Sequence, residues 1–187
     1  MRQILEAVSH IHKMGIVHRD IKPSNIFFSE DEKLKIGDFG LAKTNIDSPK
    51  NRFNISNPVG PSSHSSPMNQ KNTKRIGTHT YAAPEQIQGT SYDEKVDIFS
   101  LGIVFFEMFH PFTTKSERAH VLTKLREGKV PEYLCEKYPK EMSIIRQCLS
   151  INPSERPSAD DLIHFLKTGQ IEKIHSILKI SSPHDIN

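Results

Sequence analysis

The sequence predicts a mainly α-helical α+β fold with one small β-hairpin, and three patterns support this prediction. Apolar residues recur at helical spacing from Ile4 to Met14. Residues 96–109 are apolar nearly all round, which is typical of a helix at the centre of a domain. Two short apolar runs, 26–28 and 34–36, flank a polar turn and indicate a hairpin. A chain of 187 residues is long enough to bury one sizeable core.

Helical signals also mark the second half of the chain. Thr114 and Glu117 have the spacing of a capping box, and Gly128 follows as a stop signal. The helices that apolar spacing predicts there are 116–126, 142–149 and 157–166, and we expect a short helix in the tail 168–187.

Composition argues against several classes of protein. The formal net charge of +3 is too small to indicate a nucleic-acid partner. No apolar run approaches the roughly 20 residues that cross a bilayer, and the N-terminus has no signal-peptide pattern, so we expect a cytoplasmic protein without membrane contact. Cys135, in a predicted loop, and Cys148, in a predicted helix, are expected to be free thiols of a reducing compartment.

Residues 44–76 differ in composition from their surroundings. No acidic residue occurs from Ser48 to Thr73, and Ser, Asn and Pro dominate. Such a segment cannot bury enough apolar surface to offset the entropy lost on ordering, so we predict a disordered, weakly basic insert. A nucleic-acid-binding arm is the alternative, but scattered basic residues and few aromatic residues favour a disordered loop.

Two motifs bear the chemistry. HRDIKPSN occupies residues 18–25, and DFG begins at Asp38, thirteen residues after Asn25. Asp20 can accept a hydroxyl proton, and Lys22 can steady a phosphate. Asn25 and Asp38 offer the oxygen ligands that Mg²⁺ prefers, and a hairpin between them would bring them side by side. Without the surrounding motif, Asn25 and Asp38 would fit turn residues and Asp20 a helix cap.

Five motifs in order make the chain resemble the C-terminal lobe of a eukaryotic serine/threonine protein kinase over residues 1–167. They are HRDIKPSN, DFG, GTHTYAAPE, VDIFSLG and NPSERP. The resemblance implies transfer of the γ-phosphoryl group of ATP to a protein, with Mg²⁺ held by Asn25 and Asp38. It makes Asp20 the catalytic base and Lys22 a contact of the transferring phosphate. A lysine at this position is typical of serine/threonine rather than tyrosine kinases.

The resemblance also implies structural roles around the site. His18 and Phe39 match a stacked apolar column that aligns the lobe. Residues 26–28 are expected in the core, with one or two of them beneath the adenine ring. Asp97 matches a carboxylate that braces the backbone of the catalytic loop.

Other positions resemble the activation segment and the base of the lobe. Arg19 falls where the family pairs an arginine with a phosphate on the activation segment, with an ordinary surface arginine as the alternative. Thr73 and Thr78 match the activating and substrate-loop threonines in spacing, which makes them candidates for phosphorylation. Glu85 and Arg156 match a buried ion pair that fixes geometry.

Residues 107–131 narrow the resemblance to the kinases that phosphorylate the α-subunit of translation initiation factor 2. In that family a helix corresponding to 116–126 docks the substrate protein far from the reacting serine. The resemblance therefore implies this α-subunit as partner, docked by Glu117, Arg118, His120 and Lys124. An ordinary solvated helix face fits the same four residues.

The chain departs from the family in lacking recognisable N-lobe motifs. No Gly-x-Gly-x-x-Gly occurs among the nine glycines, and no Val-Ala-Ile-Lys precedes His18, so we expect the N-lobe to be absent from this chain. The first hypothesis is a working kinase whose N-lobe lies upstream. The second is a truncated, inactive lobe that binds or sequesters the substrate protein. Homodimer contacts are expected to lie in the missing portion.

Overall fold

The structure is a computed structural model and describes residues 1–31, 33–44 and 79–168. Within these residues the helices are α1 (Arg2–Lys13), α2 (Pro84–Gln88), α3 (Lys95–Glu107), α4 (Lys115–Arg126), α5 (Glu132–Lys137), α6 (Pro139–Cys148) and α7 (Ala159–Thr168). The strands are β1 (Ile16–Val17), β2 (Ile26–Phe28), β3 (Leu34–Ile36) and β4 (Lys43–Thr44). The fold is thus mainly helical with two small sheets, in agreement with the predicted fold class.

Helix α3 forms the centre of the core. Eleven of its thirteen residues are buried, covering every position from Val96 to Phe106. Helix α6 packs against it, while α1 packs against α7. Gly102 permits the close approach of α6, because a Cβ atom at this position would lie 2.8 Å from the Cβ atom of Cys148.

Two antiparallel ladders place the HRDIKPSN and DFG motifs next to each other. Strand β2 pairs with β3 in the predicted hairpin, with Phe27 opposite Lys35. Strand β1 pairs with β4, with Val17 opposite Lys43. The first motif joins β1 to β2, and the second lies in the connection from β3 to β4. Because each connection starts and ends at strands that pair with those of the other connection, the two motifs lie next to each other.

The capping signals of α4 are present in the structure. The Thr114 hydroxyl accepts a hydrogen bond from the Glu117 N–H at 3.0 Å, and the Glu117 carboxylate accepts one from the Thr114 N–H at 3.4 Å. Gly128 follows the helix with a φ of +80°, a conformation that glycine adopts without steric cost.

The prediction that residues 26–28 belong to the core is wrong for two of the three side chains. Ile26 packs against the core, but Phe27 is 51% exposed and Phe28 is 75% exposed. Alternation along the strand turns Phe27 away from the side of Ile26, and Phe28 lies next to the exposed hairpin turn.

The sequence did not predict several of the helices and strand pairings. Helices α2 and α5 and the pairing of β1 with β4 were not predicted, and Cys135 lies in α5 rather than in a loop. Both cysteines are free thiols, and complete burial raises the pKa of Cys148 to about 12.

Most of the predicted insert and tail falls outside the described residues. The exceptions are Thr44, which lies in β4, and Thr168, which ends α7. Among the described residues, no helix combines the length and apolar character needed to cross a bilayer.

The close contact at Gly102 gives a test of the core. Gly102→Ala is expected to lower the free energy of unfolding by about 1–3 kcal/mol, because the added methyl group has no free space beside Cys148. Urea denaturation measures this loss, and Ser116→Ala on the exposed side of α4 is the control. An unchanged midpoint for Gly102→Ala would contradict the close packing of α3 against α6.

Candidate active site

Hydrogen bonds bring three of the predicted catalytic residues together in the loop after β1. Asp20 Oδ2 accepts from Lys22 Nζ at 2.7 Å and from Asn25 Nδ2 at 3.1 Å. Asn25 Nδ2 also donates to the Asp20 carbonyl at 2.9 Å. The loop thus anchors one carboxylate oxygen of Asp20, while Oδ1 has no hydrogen-bond donor among the described residues.

The same contacts fix the orientation of the Asn25 amide. Both partners on Asp20 are acceptors, so the Asn25 NH₂ group must face them. The Asn25 Oδ1 atom then points to the other side, where no donor from the described residues reaches it. The largely buried Asn25 therefore presents an available oxygen ligand at the edge of the loop.

Asp38 enters the site from the other connection. The Gly37 N–H donates to the Asn25 carbonyl at 2.9 Å, which joins the two backbones at the open end of the hairpin. Asp38 has a φ of +60°, and its Oδ1 accepts from the Gly40 N–H at 3.3 Å. None of the hydrogen bonds among the described residues joins the Asp38 carboxylate to Asp20 or Asn25. The hairpin thus brings the backbones of Asn25 and Gly37 together, immediately before Asp38.

His18 and Phe39 link the two connections. Their ring centroids lie 4.8 Å apart. His18 is fully buried, and its Nε2 donates to the Gly37 carbonyl at 3.0 Å. The Nδ1 atom accepts from the Asp20 N–H at 3.3 Å. These partners require the tautomer with the proton on Nε2, and they tie the backbone of Asp20 to the start of the DFG motif.

Asp97 braces the catalytic loop from α3. Its fully buried carboxylate accepts from the His18 N–H at 2.9 Å and from the Arg19 N–H at 2.8 Å. Arg19 has a φ of +69°, which is unfavourable for a residue with a side chain. The two bonds to Asp97 hold this strained backbone immediately before Asp20.

His12 completes the environment of Asp97 and was missed by the sequence analysis. Its Nε2 lies 2.9 Å from the second oxygen of Asp97, Oδ2. A single histidine on an amphipathic helix has no spacing signal that separates it from an ordinary surface residue. Only the packing of α1 beside α3 reveals that it pairs with this carboxylate.

Arg19 has neutral partners in the structure. Its Nη1 donates to the Tyr92 hydroxyl at 2.9 Å, and its Nε donates to the Leu41 carbonyl. The Gln86 side chain donates to the Arg19 carbonyl at 3.1 Å. The guanidinium charge is therefore not neutralised by a carboxylate among the described residues. The predicted phosphorylation sites Thr73 and Thr78 lie outside the described residues.

Glu85 and Arg156 form a bidentate ion pair at the base of the site. Arg156 Nη1 lies 2.5 Å from Glu85 Oε1, and Nη2 lies 2.9 Å from Oε2. Both residues are buried. Arg156 Nε also donates to the Ser150 carbonyl at 2.8 Å, and the guanidinium lies over the Phe99 ring. This network joins α2 to the segment that precedes α7.

The four predicted docking residues on α4 have different surroundings. Glu117 caps its own helix through Thr113 and Thr114. Arg118 points inward and bonds Glu107. His120 is exposed, whereas Lys124 is half-buried and lies 3.5 Å from Glu127. The capping of Glu117 could be foreseen from its spacing to Thr114, but the inward turn of Arg118 could not.

A cavity of about 160 Å³ opens beside Asp20. Its wall is formed by the catalytic loop, the DFG connection and the segment before α2, and its polar lining includes Arg19, Asp20, His79, Tyr81 and Gln86. Burial and the neighbouring Glu107 carboxylate raise the pKa of Tyr81. Asp20 thus borders a space large enough for a small side chain.

The ion pair at the base of the site gives a stability prediction. Arg156→Met is expected to lower the free energy of unfolding by about 3–5 kcal/mol, because the Glu85 carboxylate stays buried without its counter-charge. Lys33→Met, which breaks the exposed pair with Asp31, is the control and should have little effect. Equal urea midpoints for the two variants would show that the buried pair contributes no more than a surface pair.

Comparison with known proteins identifies the family of the chain. Residues 1–165 match the protein kinase domain family. The sequence is 44% identical to eukaryotic translation initiation factor 2-alpha kinase 3 of Bos taurus, over 86% of this chain and 14% of the relative. It is 42% identical to eukaryotic translation initiation factor 2-alpha kinase 1 of Rattus norvegicus, over 91% of this chain and 27% of the relative. It is 41% identical to eIF-2-alpha kinase GCN2 of Arabidopsis thaliana, over 96% of this chain and 14% of the relative.

The chain thus spans between 14% and 27% of the length of these relatives. The motif order, the geometry around Asp20 and these matches lead to one conclusion. The chain belongs to the protein kinase family, and the three relatives described above are eukaryotic translation initiation factor 2-alpha kinases.

Proposed function

We propose that this chain forms the C-terminal lobe of a serine/threonine kinase that transfers the γ-phosphoryl group of ATP to a protein hydroxyl. The observation that supports this most directly is the state of Asp20. One carboxylate oxygen is held by Lys22 and Asn25, while the other has no donor among the described residues. The residue also lines the cavity beside the loop. This arrangement orients a base toward an incoming hydroxyl group.

Proton transfer in the proposed reaction involves only groups of this chain and the acceptor. The acceptor oxygen forms a bond to phosphorus as the bond from phosphorus to the ADP oxygen breaks, and the hydroxyl proton passes to Asp20. Lys22 Nζ, held at 2.7 Å from Asp20, lies where it can also contact the transferring phosphate. His18 and Asp97 keep the backbone on either side of Arg19 in place.

The oxygen atoms of Asn25 and Asp38 fit a magnesium ion that is shared with nucleotide phosphates. Asn25 Oδ1 is directed away from Asp20, and Asp38 Oδ1 has only a weak bond from the Gly40 N–H. Among the described residues, no cluster of three or more His, Cys, Asp or Glu side chains could hold a metal by itself. Mg²⁺ keeps several waters and binds few protein ligands in such sites, and when bound it would neutralise charge on the phosphates.

The α-subunit of translation initiation factor 2 is the proposed substrate. The identity of the relatives supports this, since all three are named as kinases of this factor. Among the four docking candidates on α4, His120 is exposed and Lys124 has only a loose pair with Glu127. These two residues are therefore the better candidates for contact with the substrate. We further propose a cytoplasmic location, from the sequence patterns described above, and a homodimer formed through regions outside this chain, from the family resemblance.

A second candidate function is binding of the substrate protein without phosphoryl transfer. The resemblance places residues 26–28 beneath the adenine ring of ATP. Phe27 and Phe28 are exposed in this chain, so the surface expected to bind the nucleotide is uncovered, which favours binding without phosphoryl transfer. Calorimetric titration of residues 1–187 with the α-subunit, followed by incubation with Mg·ATP, separates the two functions. Robust phosphate incorporation by residues 1–187 excludes the second candidate. Binding without incorporation supports it if incorporation is still absent when an N-lobe is supplied upstream of these residues.

The role of Asp20 gives the first activity prediction. In a kinase that contains this chain together with an N-lobe, Asp20→Asn is expected to lower the rate of phosphate incorporation by about 10²–10⁴-fold, because the amide cannot take up the hydroxyl proton. Asp31→Asn at the exposed hairpin turn is the matched control and should retain full activity. Circular dichroism checks that both variants fold. A rate near that of the unaltered chain for Asp20→Asn would show that Asp20 is not the base.

Thr73 is the proposed activating phosphorylation site, and Arg19 is its proposed partner. In the same N-lobe-containing kinase, Thr73→Ala should slow activation more than Thr80→Ala, because the phosphate at Thr73 would pair with the guanidinium group of Arg19. The contact of Thr80 uses its backbone carbonyl, which alanine retains. Initial rates after preincubation with Mg·ATP compare the variants. Equal losses would point to a different phosphorylation site.

A further inference from the structure

The segment 80–82, which precedes α2, is held in place by side chains from two other helices. Arg126 Nη1 donates to the Thr80 carbonyl at 2.9 Å and to the Ala82 carbonyl at 2.6 Å. The Ser100 hydroxyl donates to the Tyr81 carbonyl at 2.8 Å. Three successive carbonyl groups thus have donors from α3 and α4. The segment has no regular secondary structure of its own to satisfy these carbonyls.

A second contact of α4 holds the side chain of Tyr81. The Tyr81 hydroxyl donates to Glu107 Oε2 at 2.7 Å. Arg118 Nε donates to Glu107 Oε1 at 2.7 Å, and Arg118 Nη2 donates to the Tyr81 oxygen. Both oxygens of Glu107 therefore accept hydrogen bonds. The Glu107 side chain is only 12% exposed, so these bonds lie in a largely buried cluster. Arg118 therefore neutralises Glu107 and fixes Tyr81 through the same guanidinium.

Arg126 is itself held by packing as well as by hydrogen bonds. Its guanidinium lies 5.2 Å from the ring centroid of Phe99 in α3. Partial burial lowers the pKa of Arg126, although an arginine keeps its charge in proteins. A half-buried guanidinium of this kind needs its carbonyl partners, so the last turn of α4 and the segment 80–82 stabilise each other.

The segment 80–82 forms part of the cavity beside Asp20. Tyr81 and Ala82 line that cavity together with Arg19 and Asp20. Gln86 reinforces the arrangement, since it accepts from the Ala83 N–H at 2.9 Å and donates to the Arg19 carbonyl. A displacement of the segment would therefore change the space in which an acceptor hydroxyl meets Asp20.

We propose that Arg118 and Arg126 are positioning residues that couple α4 to the acceptor cavity. They hold the segment 80–82 against the inner side of the helix, while the exposed residue His120 remains on its outer side. A protein bound to the outer side of α4 would then have a fixed position relative to the wall of the cavity. The proposal rests on the proposed function for its catalytic consequence, but the coupling itself does not depend on phosphoryl transfer.

Limited chymotrypsin digestion of residues 1–187 tests the coupling without an activity assay. Chymotrypsin cleaves after tyrosine, so cleavage between Tyr81 and Ala82 reports release of the segment. Arg126→Met and Arg118→Met are expected to accelerate this cleavage by about threefold to tenfold, as expected for the loss of one or two hydrogen bonds. Arg126→Lys, which keeps the charge, should restore part of the protection.

Two controls separate local release from general unfolding. Lys115→Met removes a positive charge from the exposed start of α4 and should leave the cleavage rate after Tyr81 unchanged. Cleavage after Phe105, buried in α3, measures global opening and should be equal in all variants. Equal cleavage after Tyr81 in the unaltered chain and both arginine variants would overturn the proposal. A parallel rise at Tyr81 and Phe105 would overturn it as well, because the arginines would then act on overall stability.

A kinetic measurement with the α-subunit as substrate tests the catalytic consequence. The arginine variants should lower kcat at a nearly unchanged KM, since docking on the outer side of α4 is retained while the acceptor cavity is disturbed. A rise in KM alone would assign the arginines to docking and overturn their positioning role. If Asp20→Asn retains activity while Tyr81 is released as expected, the proposed function fails and the coupling stands.

Discussion

The buried carboxylate of Asp97 is the interaction on which the geometry of the catalytic loop depends. A carboxylate removed from water costs several kcal/mol unless donors surround it, so its partners cannot move independently. Here the donors are two successive backbone N–H groups, of His18 and Arg19, and the ring of His12. The backbone of Arg19 is held in the left-handed region as a result. Asp20 follows directly, so a group on α3 sets the backbone position from which the Asp20 side chain extends.

Helix α3 anchors several segments that are distant in the sequence. Asp97 binds the catalytic loop, Ser100 binds the Tyr81 carbonyl, and Glu107 binds the Tyr81 hydroxyl. The ring of Phe99 lies beneath two guanidinium groups, at 5.2 Å and 5.0 Å from its centroid. A helix that is apolar all round can be central to the core, and its few polar side chains then have fixed partners. The rigidity of the site follows from this common attachment.

The local elements could largely be predicted because their signals are local. The hairpin 26–36 follows from two short apolar runs on either side of a polar turn, and the start of α4 follows from the spacing of Thr114 and Glu117. The exposure of Phe27 and Phe28 could not be predicted, because hydrophobicity alone does not say which side of a two-stranded hairpin is covered. The pairing of β1 with β4 was missed for a related reason, since strands of two residues carry no periodic pattern.

The residues of the site likewise fall into two groups: those that the sequence predicted and those that only the structure revealed. Motif order alone predicted Asp20, Lys22 and Asn25 as site residues, and in the structure Lys22 and Asn25 both donate hydrogen bonds to Asp20. His12 and Arg126 were not identified, because their partners lie 85 and 46 residues away in the sequence. Arg118 was assigned to the outer face of α4, yet it bonds Glu107 on the inner side. Spacing on a helix gives the face of a residue only approximately, and a long side chain can reach around it.

The sequence by itself therefore determined which chemical groups are present, their order along the chain, and the local turns that bring Asp20 near Asn25. Only the tertiary structure decided which oxygen of Asp20 is left without a donor among the described residues, which donors stabilise the Asp97 carboxylate, and that α4 contacts one wall of the cavity beside Asp20. The physical reason is the range of the interactions. Motifs and periodicity reflect contacts within a few residues, whereas a buried charge is stabilised by whichever donors the packing of distant helices places beside it.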